Sequence, residues 1–268
     1  MGKELSYRAE AAAEYDRAFS HVSAYFLPSL LRAARIAPGQ RVLDVATGTG
    51  IAAEAACSIV GPAGSVLATD MSPEMVDKAR GRLVEQWPNA AVAVEDGQAL
   101  SFSNDSFDAV LCSLGLMFFP DPARALAGFH RVLRPGGRAA ISVLTAPERS
   151  YNGRINVIVA RHEPDLAQAA DRTFALGDAT RLQQLFLDAG FLNIETSTEK
   201  HIFVLPTFDA YYGPFERGGG STGQALASLP EATRHAVREE MRQALGDAGG
   251  PVEIEVETRI ASGRRSPM

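Results

Sequence analysis

Three acidic residues close apolar runs in this chain. Asp44 ends RVLD and is followed by Val-Ala-Thr-Gly-Thr-Gly to Gly50; Asp70 ends SVLATD; Asp96 follows AAVAVE and precedes Gly97 and Gln98. A carboxylate at 70 can accept hydrogen bonds from both hydroxyls of a ribose. One at 96 can accept from the exocyclic amine of an adenine, and Gly97, with no Cβ, leaves room for a flat ring. The small residues Ala46, Thr47, Gly48, Thr49 and Gly50 let a ligand approach the backbone closely, and a helix beginning near Gly50 aims its free N–H groups at the same place.

The elements that must hold these residues alternate. Apolar runs at 41–46, 65–70, 90–96, 107–116 and 138–145 read as buried strands, with helices over 50–60 and 72–86 and a third opened by Asp121-Pro122 and stopped by Gly136-Gly137. Ser72, Pro73 and Glu74 form a strong helix start. Strands this apolar, separated by helices, imply a mainly parallel, doubly wound α/β sheet covered on both faces. Ligands bind such sheets beyond the carboxyl ends of the strands, where strand order reverses. A helical segment is expected over 1–36. Beyond 145, Asp178 caps a helix that Gly190 stops, 193–205 is a strand or hairpin, 207–224 is loop-rich, and 229–250 is a polar helix. The alternating run 251–265 is a strand able to lie at a sheet edge and pair with a second copy, and Gly218–Gly220 reads as a mobile surface loop.

Two cofactor classes use a strand–Gly loop–helix turn. Gly48-x-Gly50-x-x-Ala53 satisfies the dinucleotide spacing, which keeps an NAD(P)-dependent oxidoreductase as an alternative. Asp44 argues the other way: an ionised carboxylate is poorly placed beside a pyrophosphate but suits a sulfonium and an α-ammonium. Together with RVLRPGG, the segments VLDVATGTG, ATDMSPEMVDKAR and VEDGQALSFSNDSFDAVLCSLGLMFFPDPARAL resemble the class I S-adenosylmethionine-dependent methyltransferases. The likeness is strongest to the subgroup of ubiquinone/menaquinone C-methyltransferases and related small-molecule enzymes, and it covers about residues 38–145. The resemblance implies a Rossmann-like methyltransferase fold with a seven-stranded, mainly parallel sheet and helical lid segments. It places Ala46–Gly50 under the methionine part of S-adenosylmethionine with Asp44 behind, Asp70 on the ribose and Met71 on the adenine face. Asp96, Gly97 and Gln98 would take the adenine edge, and Ser113 and Leu114 the sulfonium. Relatives often have glycine at 46, and many carry a histidine near Met117 or Phe118 that is missing here. That absence keeps a non-catalytic S-adenosylmethionine-binding protein as a further alternative.

The whole chain reads as one methyltransferase domain: a helical cap (1–36), a cofactor core (37–145), a substrate-side lid and strand (146–250) and a C-terminal strand (251–265). The lid segments hold Tyr7, Tyr15, Tyr25, Tyr151, Tyr211 and Phe215, which suit a small apolar or aromatic methyl acceptor. A proton acceptor for carbon or phenol methylation would come from His21 or Tyr15. The net charge of −6 gives no general attraction to nucleic acid. The two cysteines, Cys57 and Cys112, have no metal-ligand spacing and read as buried thiols of a reducing compartment. The charged start MGKELSYRAEAAAEYDR predicts no signal peptide, and no segment reads as a membrane span. The expectation is a cytoplasmic enzyme with no metal and with homodimerisation open.

Overall fold

A computed structural model describes residues 9–163 and 173–267. Tyr7 and part of the segment 146–177 lie outside the described residues. The chain opens with α1 (Ala9–Ala34), followed by β1 (Arg41–Val45), α2 (Ile51–Val60), β2 (Ser65–Asp70), α3 (Pro73–Leu83), β3 (Ala90–Val94) and β4 (Phe107–Ser113). After a 3₁₀ turn at Leu116–Phe118 come α4 (Pro122–Val132), β5 (Leu133–Leu144), α5 (Gly153–His162), α6 (Ala179–Asp188) and β6 (Leu192–Leu205). Helices α7 (Phe208–Glu216), α8 (Gly220–Ser228) and α9 (Glu231–Leu245) then lead to β7 (Val252–Arg264).

The seven described strands form one sheet in the order β3-β2-β1-β4-β5-β7-β6. The pairs β3–β2, β2–β1, β1–β4 and β4–β5 are parallel. Strand β7 runs antiparallel to β5: Gly136 N–H donates to Arg265 O at 3.2 Å and Arg265 N–H to Gly137 O at 2.9 Å, so the end of one lies beside the start of the other. β7 is therefore an inner strand and β6 is the edge, so 251–265 does not take the edge position its alternation left open. Chain order reverses between β1 and β4, with Val42 opposite Ala109 and Asp44 opposite Leu111. Doubly wound sheets take their ligands in a crevice beyond the strands' carboxyl ends at such a reversal.

The chain clusters as two compact units. One comprises Ser23–Val143, Leu176–Glu199 and Thr258–Met268; the other draws on the described residues of Met1–Val22, Leu144–Ala175 and Lys200–Glu257. In the former, Leu27, Leu30 and Leu31 of α1, Ala52, Ala53 and Ala56 of α2 and Leu83 of α3 bury one sheet face against Val42, Val66 and Leu111. Each buried Leu or Val there contributes about 1.5–3 kcal/mol. Buried Phe129 of α4 and Phe186 of α6 complete the core of this unit. Helix α4 ends at Val132, not at the glycine pair. Phe107 pairs with Leu133 and Ala109 with Arg138, so residues 134–137 bulge out of β5, and Gly136 takes the left-handed φ of 81° that this turn needs.

In the other unit the stretch 207–224 is helical rather than loop. Thr207 caps α7 by accepting from Ala210 N–H at 3.1 Å. Gly218–Gly220 is a packed turn rather than a mobile loop: a Cβ on Gly220 would stand 2.6 Å from Phe19 and one on Gly223 2.3 Å from Gly218. The aromatics expected to wall a cavity mostly pack on one another. Tyr151, Tyr211 and Phe215 are buried, with ring centroids 5.3–6.1 Å apart, and Tyr211 Oη donates to Tyr151 O at 2.7 Å.

Candidate functional site

Asp44 is fully buried at the carboxyl end of β1. The Thr47 hydroxyl donates to its Oδ2 at 2.5 Å. Among the described residues, Oδ1 has no partner at hydrogen-bonding geometry. Burial pushes the carboxyl up to about 7; the Thr47 hydroxyl opposes this, the negative Asp70 adds to it, and Ala53 N–H favours the charge. A buried acceptor oxygen left unpaired, next to a second acid, fits a cationic group.

The loop leaving β1 is held open by alternating left-handed residues: Ala46 at φ 55°, Gly48 at 57° and Gly50 at 88°. Gly50 also allows α2 and α3 to close, since a Cβ there would meet Ala79 Cα at 3.2 Å. Thr47 N–H donates to Thr69 O at 2.9 Å and Thr69 Oγ1 to Asp44 O at 3.2 Å, tying this loop to β2. Asp70 reinforces the tie. Its Oδ2 accepts Gly48 N–H and its Oδ1 accepts Ser72 N–H, both at 2.9 Å. Burial raises the Asp70 pKa, and the N–H groups of Ser72, Gly48 and Met71 hold it back. The Gly48 N–H is thus already committed to a carboxylate, which leaves the loop poorly suited to a pyrophosphate. Met71, 51% exposed, stands beside Asp70 as an apolar surface able to take a flat ring.

Glu95 N–H donates to Asp70 O at 3.0 Å and so keeps the end of β3 beside that of β2. Asp96 follows, exposed, with Oδ1 accepting Gln98 N–H at 2.9 Å; Gln98 Oε1 in turn accepts Asp121 N–H at 2.7 Å. Gly97 is required by a protein ring: its Cβ would stand 2.6 Å from two carbons of Phe119. On the far side of the crevice, Leu114 follows Ser113 in the left-handed region at φ 52°, held there by N–H bonds to Ser142 O and Oγ, both 3.1 Å. Gly115 lets this turn dock on the first loop, since a Cβ would lie 2.6 Å from Ala46 Cβ and 2.9 Å from Cys112 Sγ.

The structure thus links Asp44, Ala46–Gly50 and Asp70 by direct bonds. It sets Asp96–Gln98 on the neighbouring strand end and brings Ser113–Leu114 against Ala46. His21 and Tyr15 belong to the other unit. There His21 meets Tyr151 and Phe203 edge-on at 5.2 and 5.4 Å, and Tyr15 meets Phe19 at 5.0 Å. Burial lowers the His21 pKa. Sequence reasoning missed Thr69, Ser142 and Gly115. Gly115 carried a signal, a lone glycine just past a strand, whereas Ser142 inside an apolar strand carried none. Cys57 and Cys112 are buried, and burial raises both thiols, that of Cys57 to about 11. Among the described residues, no helix is long and apolar enough to cross a membrane.

A family model described as a methyltransferase domain matches residues 42–137. An uncharacterized protein of Mycobacterium tuberculosis is 33% identical over 222 residues, 82% of this chain and 78% of its own length. The ubiquinone/menaquinone biosynthesis C-methyltransferase of Saccharophagus degradans is 32% identical over 151 residues, 54% of this chain and 61% of that enzyme. Among solved structures, a phosphoethanolamine N-methyltransferase of Haemonchus contortus bound to S-adenosylhomocysteine superposes with a TM-score of 0.62 at 18% identity, covering 98% of this chain and 58% of that one. A SAM-dependent methyltransferase of Aquifex aeolicus gives 0.54 at 19% identity, over 72% and 91%. A buried carboxylate with one oxygen left open at the strand-order reversal, a glycine loop closed by a second acid and these relatives agree: the chain belongs to the class I S-adenosylmethionine-dependent methyltransferases, and S-adenosylmethionine is its cofactor.

Proposed function

We propose that the chain methylates a small, apolar or aromatic acceptor, with Asp44, Ala46–Gly50, Asp70, Met71, Asp96–Gln98, Ser113 and Leu114 as the cofactor-binding residues. The cofactor supplies a methyl group on a sulfonium, and the transfer is an in-line displacement in which the protein's part is alignment and exclusion of water. Asp44 faces the cationic end through its free Oδ1. Asp70 holds the β1 loop and keeps lone pairs for the ribose. The strained Leu114 turn fixes the floor on which the acceptor meets the methyl.

The observation that carries the acceptor class is Phe118. It is 40% exposed, four residues past Leu114, in a segment (Ser113–Phe119) that contains no ionisable side chain. Recognition there is apolar, and no base is offered by that turn. Where the acceptor is a carbon acid or a phenol, its proton must also be taken up by a base outside that turn. The test is incubation of cell extract and of a panel of small phenols, quinols, amines and thiols with deuteromethyl-labelled cofactor, followed by mass spectrometry. Label in a small aromatic product is expected, and Phe118→Ala should raise the acceptor KM while leaving cofactor affinity unchanged. Label confined to RNA or protein would overturn the acceptor class and leave the methyltransferase assignment standing.

A further inference from the structure

Among the described residues strand β6 is the outermost strand of the sheet, and its two faces differ toward its end. Toward the strand's end the odd-numbered side chains are engaged: Phe203 is buried and His201 packs on it with centroids 4.6 Å apart. Nearer its start both faces are open, with Asn193, Glu195 and Ser197 exposed although Glu195 pairs with Arg138 at 2.9 Å and Arg35 at 3.2 Å. Apart from Lys200, the even-numbered side chains make few contacts. Ile202 is 50% and Val204 62% exposed, with Thr196 and Thr198 exposed between them and Ile194. Edge strands of monomeric proteins are blunted by proline, bulges or free lysines. No proline occurs from 192 to 205, the left-handed Asn193 (φ 49°) lies only at the strand's start, and Lys200 is drawn to Glu257 at 2.8 Å.

We propose that two copies of the chain join edge to edge through β6, antiparallel, about a two-fold axis at Thr198. The strand's sequence is complementary to its own reverse about that residue. Ile194 of one copy falls opposite Ile202 of the second, Thr196 opposite Lys200, and Glu195 opposite His201, each pair occurring twice. Val204 falls opposite the exposed Leu192 at the rim. Neighbouring registers fail on charge. An axis at Ser197 sets Glu195 opposite Glu199 and Ile194 opposite Lys200; an axis at Glu199 sets that carboxylate opposite itself. Like charges directly opposed destabilise a strand pair, whereas apolar pairs such as Ile194 with Ile202 support it. The two-fold keeps even-numbered side chains on one face throughout, so the pair continues the sheet. This inference is independent of the acceptor and of catalysis.

The symmetry makes the test specific, because only the residue on the axis meets itself. Opposed Cβ atoms in such a pair lie about 4.5–5.5 Å apart, within reach of a disulfide after small adjustment. Mild oxidation of the Thr198→Cys variant is expected to give a covalent dimer. Thr196→Cys and Lys200→Cys should each fail alone and cross-link when mixed. The native Cys57 and Cys112 are buried and do not compete. Sedimentation velocity across a concentration series should show a dimer for the natural chain, and Ile202→Lys should raise its dissociation constant at least tenfold while leaving the circular dichroism spectrum of the folded chain unchanged. A monomer at every concentration overturns the proposal. So does a dimer that is indifferent to Ile202→Lys and leaves the Thr198→Cys variant uncross-linked.

Discussion

Replacing Asp44 by asparagine tests the electrostatics of the site most directly. In the ligand-free fold, burial moves this carboxyl from 3.8 to about 7. A raised folded pKa means the fold favours the protonated acid. The associated stability is complete below pH 3.8 and is lost as pH rises through about 7. One pKa step is worth 1.36 kcal/mol, so the loss approaches about 4 kcal/mol by pH 8. Asparagine cannot ionise, and its stability should not follow that slope. Its carbonyl can still accept from Thr47, but its amide N–H is left where Oδ1 has no partner, at a cost of about 1–3 kcal/mol. Urea unfolding of both proteins from pH 4 to 8 should therefore give crossing curves: the variant less stable in acid and more stable by about 1–3 kcal/mol near pH 8. Cofactor binding completes the argument. A cation beside Oδ1 favours the carboxylate, so natural-chain affinity should rise up to tenfold per pH step between about pH 5 and 7, with proton uptake by the buffer. Calorimetry in buffers of different ionisation enthalpy reads that proton directly. Parallel stability curves together with proton-neutral binding would refute a buried, protonated Asp44.

Asp70→Ala removes the acceptor of Gly48 and Ser72 N–H as well as the proposed ribose contact. At about 1.5–3 kcal/mol per charged hydrogen bond, titration calorimetry should show affinity for S-adenosylmethionine and for S-adenosylhomocysteine both falling by about 10²-fold or more. Gly115→Ala forces a Cβ to 2.6 Å from that of Ala46 and should cost about 1–3 kcal/mol. Ala46→Gly in the same chain should recover part of it, a coupling that a double-mutant cycle of unfolding free energies measures. Gly223→Ala meets backbone at 2.3 Å, so a melting temperature lowered by several degrees, read by circular dichroism, is expected if the 218–220 turn is packed rather than loose.

Much of the α/β core was legible because each of its parts has a local cause. SVLATD is the whole of β2, and Ser72-Pro73 starts α3 where a cap and a fixed φ must. Asp121 and Asp178 cap α4 and α6 through Arg124 and Arg181 N–H. What was not legible depends on partners distant in sequence. The glycines at 136–137 resemble a helix stop, but Arg265, 128 or more residues away, decides that they form a bulge in β5. The glycines at 218–220 look loose until Phe19 and Pro214 are placed against them. The same holds in the site. Asp44 and Asp70 announced themselves as acids at strand ends, whereas Ser142 was silent because a serine in an apolar run has meaning only once the Leu114 N–H arrives. Gly97 was legible as a close approach, and only the packing revealed that the approaching ring is Phe119.

The inward place of β7 has a consequence for biosynthesis. A strand made later must slot between two made earlier, so β6 has no neighbour in the sheet until β7 leaves the ribosome. At about 5–20 residues per second, the stretch between them takes a few seconds to translate. Throughout that interval both margins of β6 stand open, with Ile202 and Val204 on display. That window is when a nascent chain of this topology most needs a chaperone, and a ribosome stalled between residues 205 and 252 would release a product with a ready seam for aggregation.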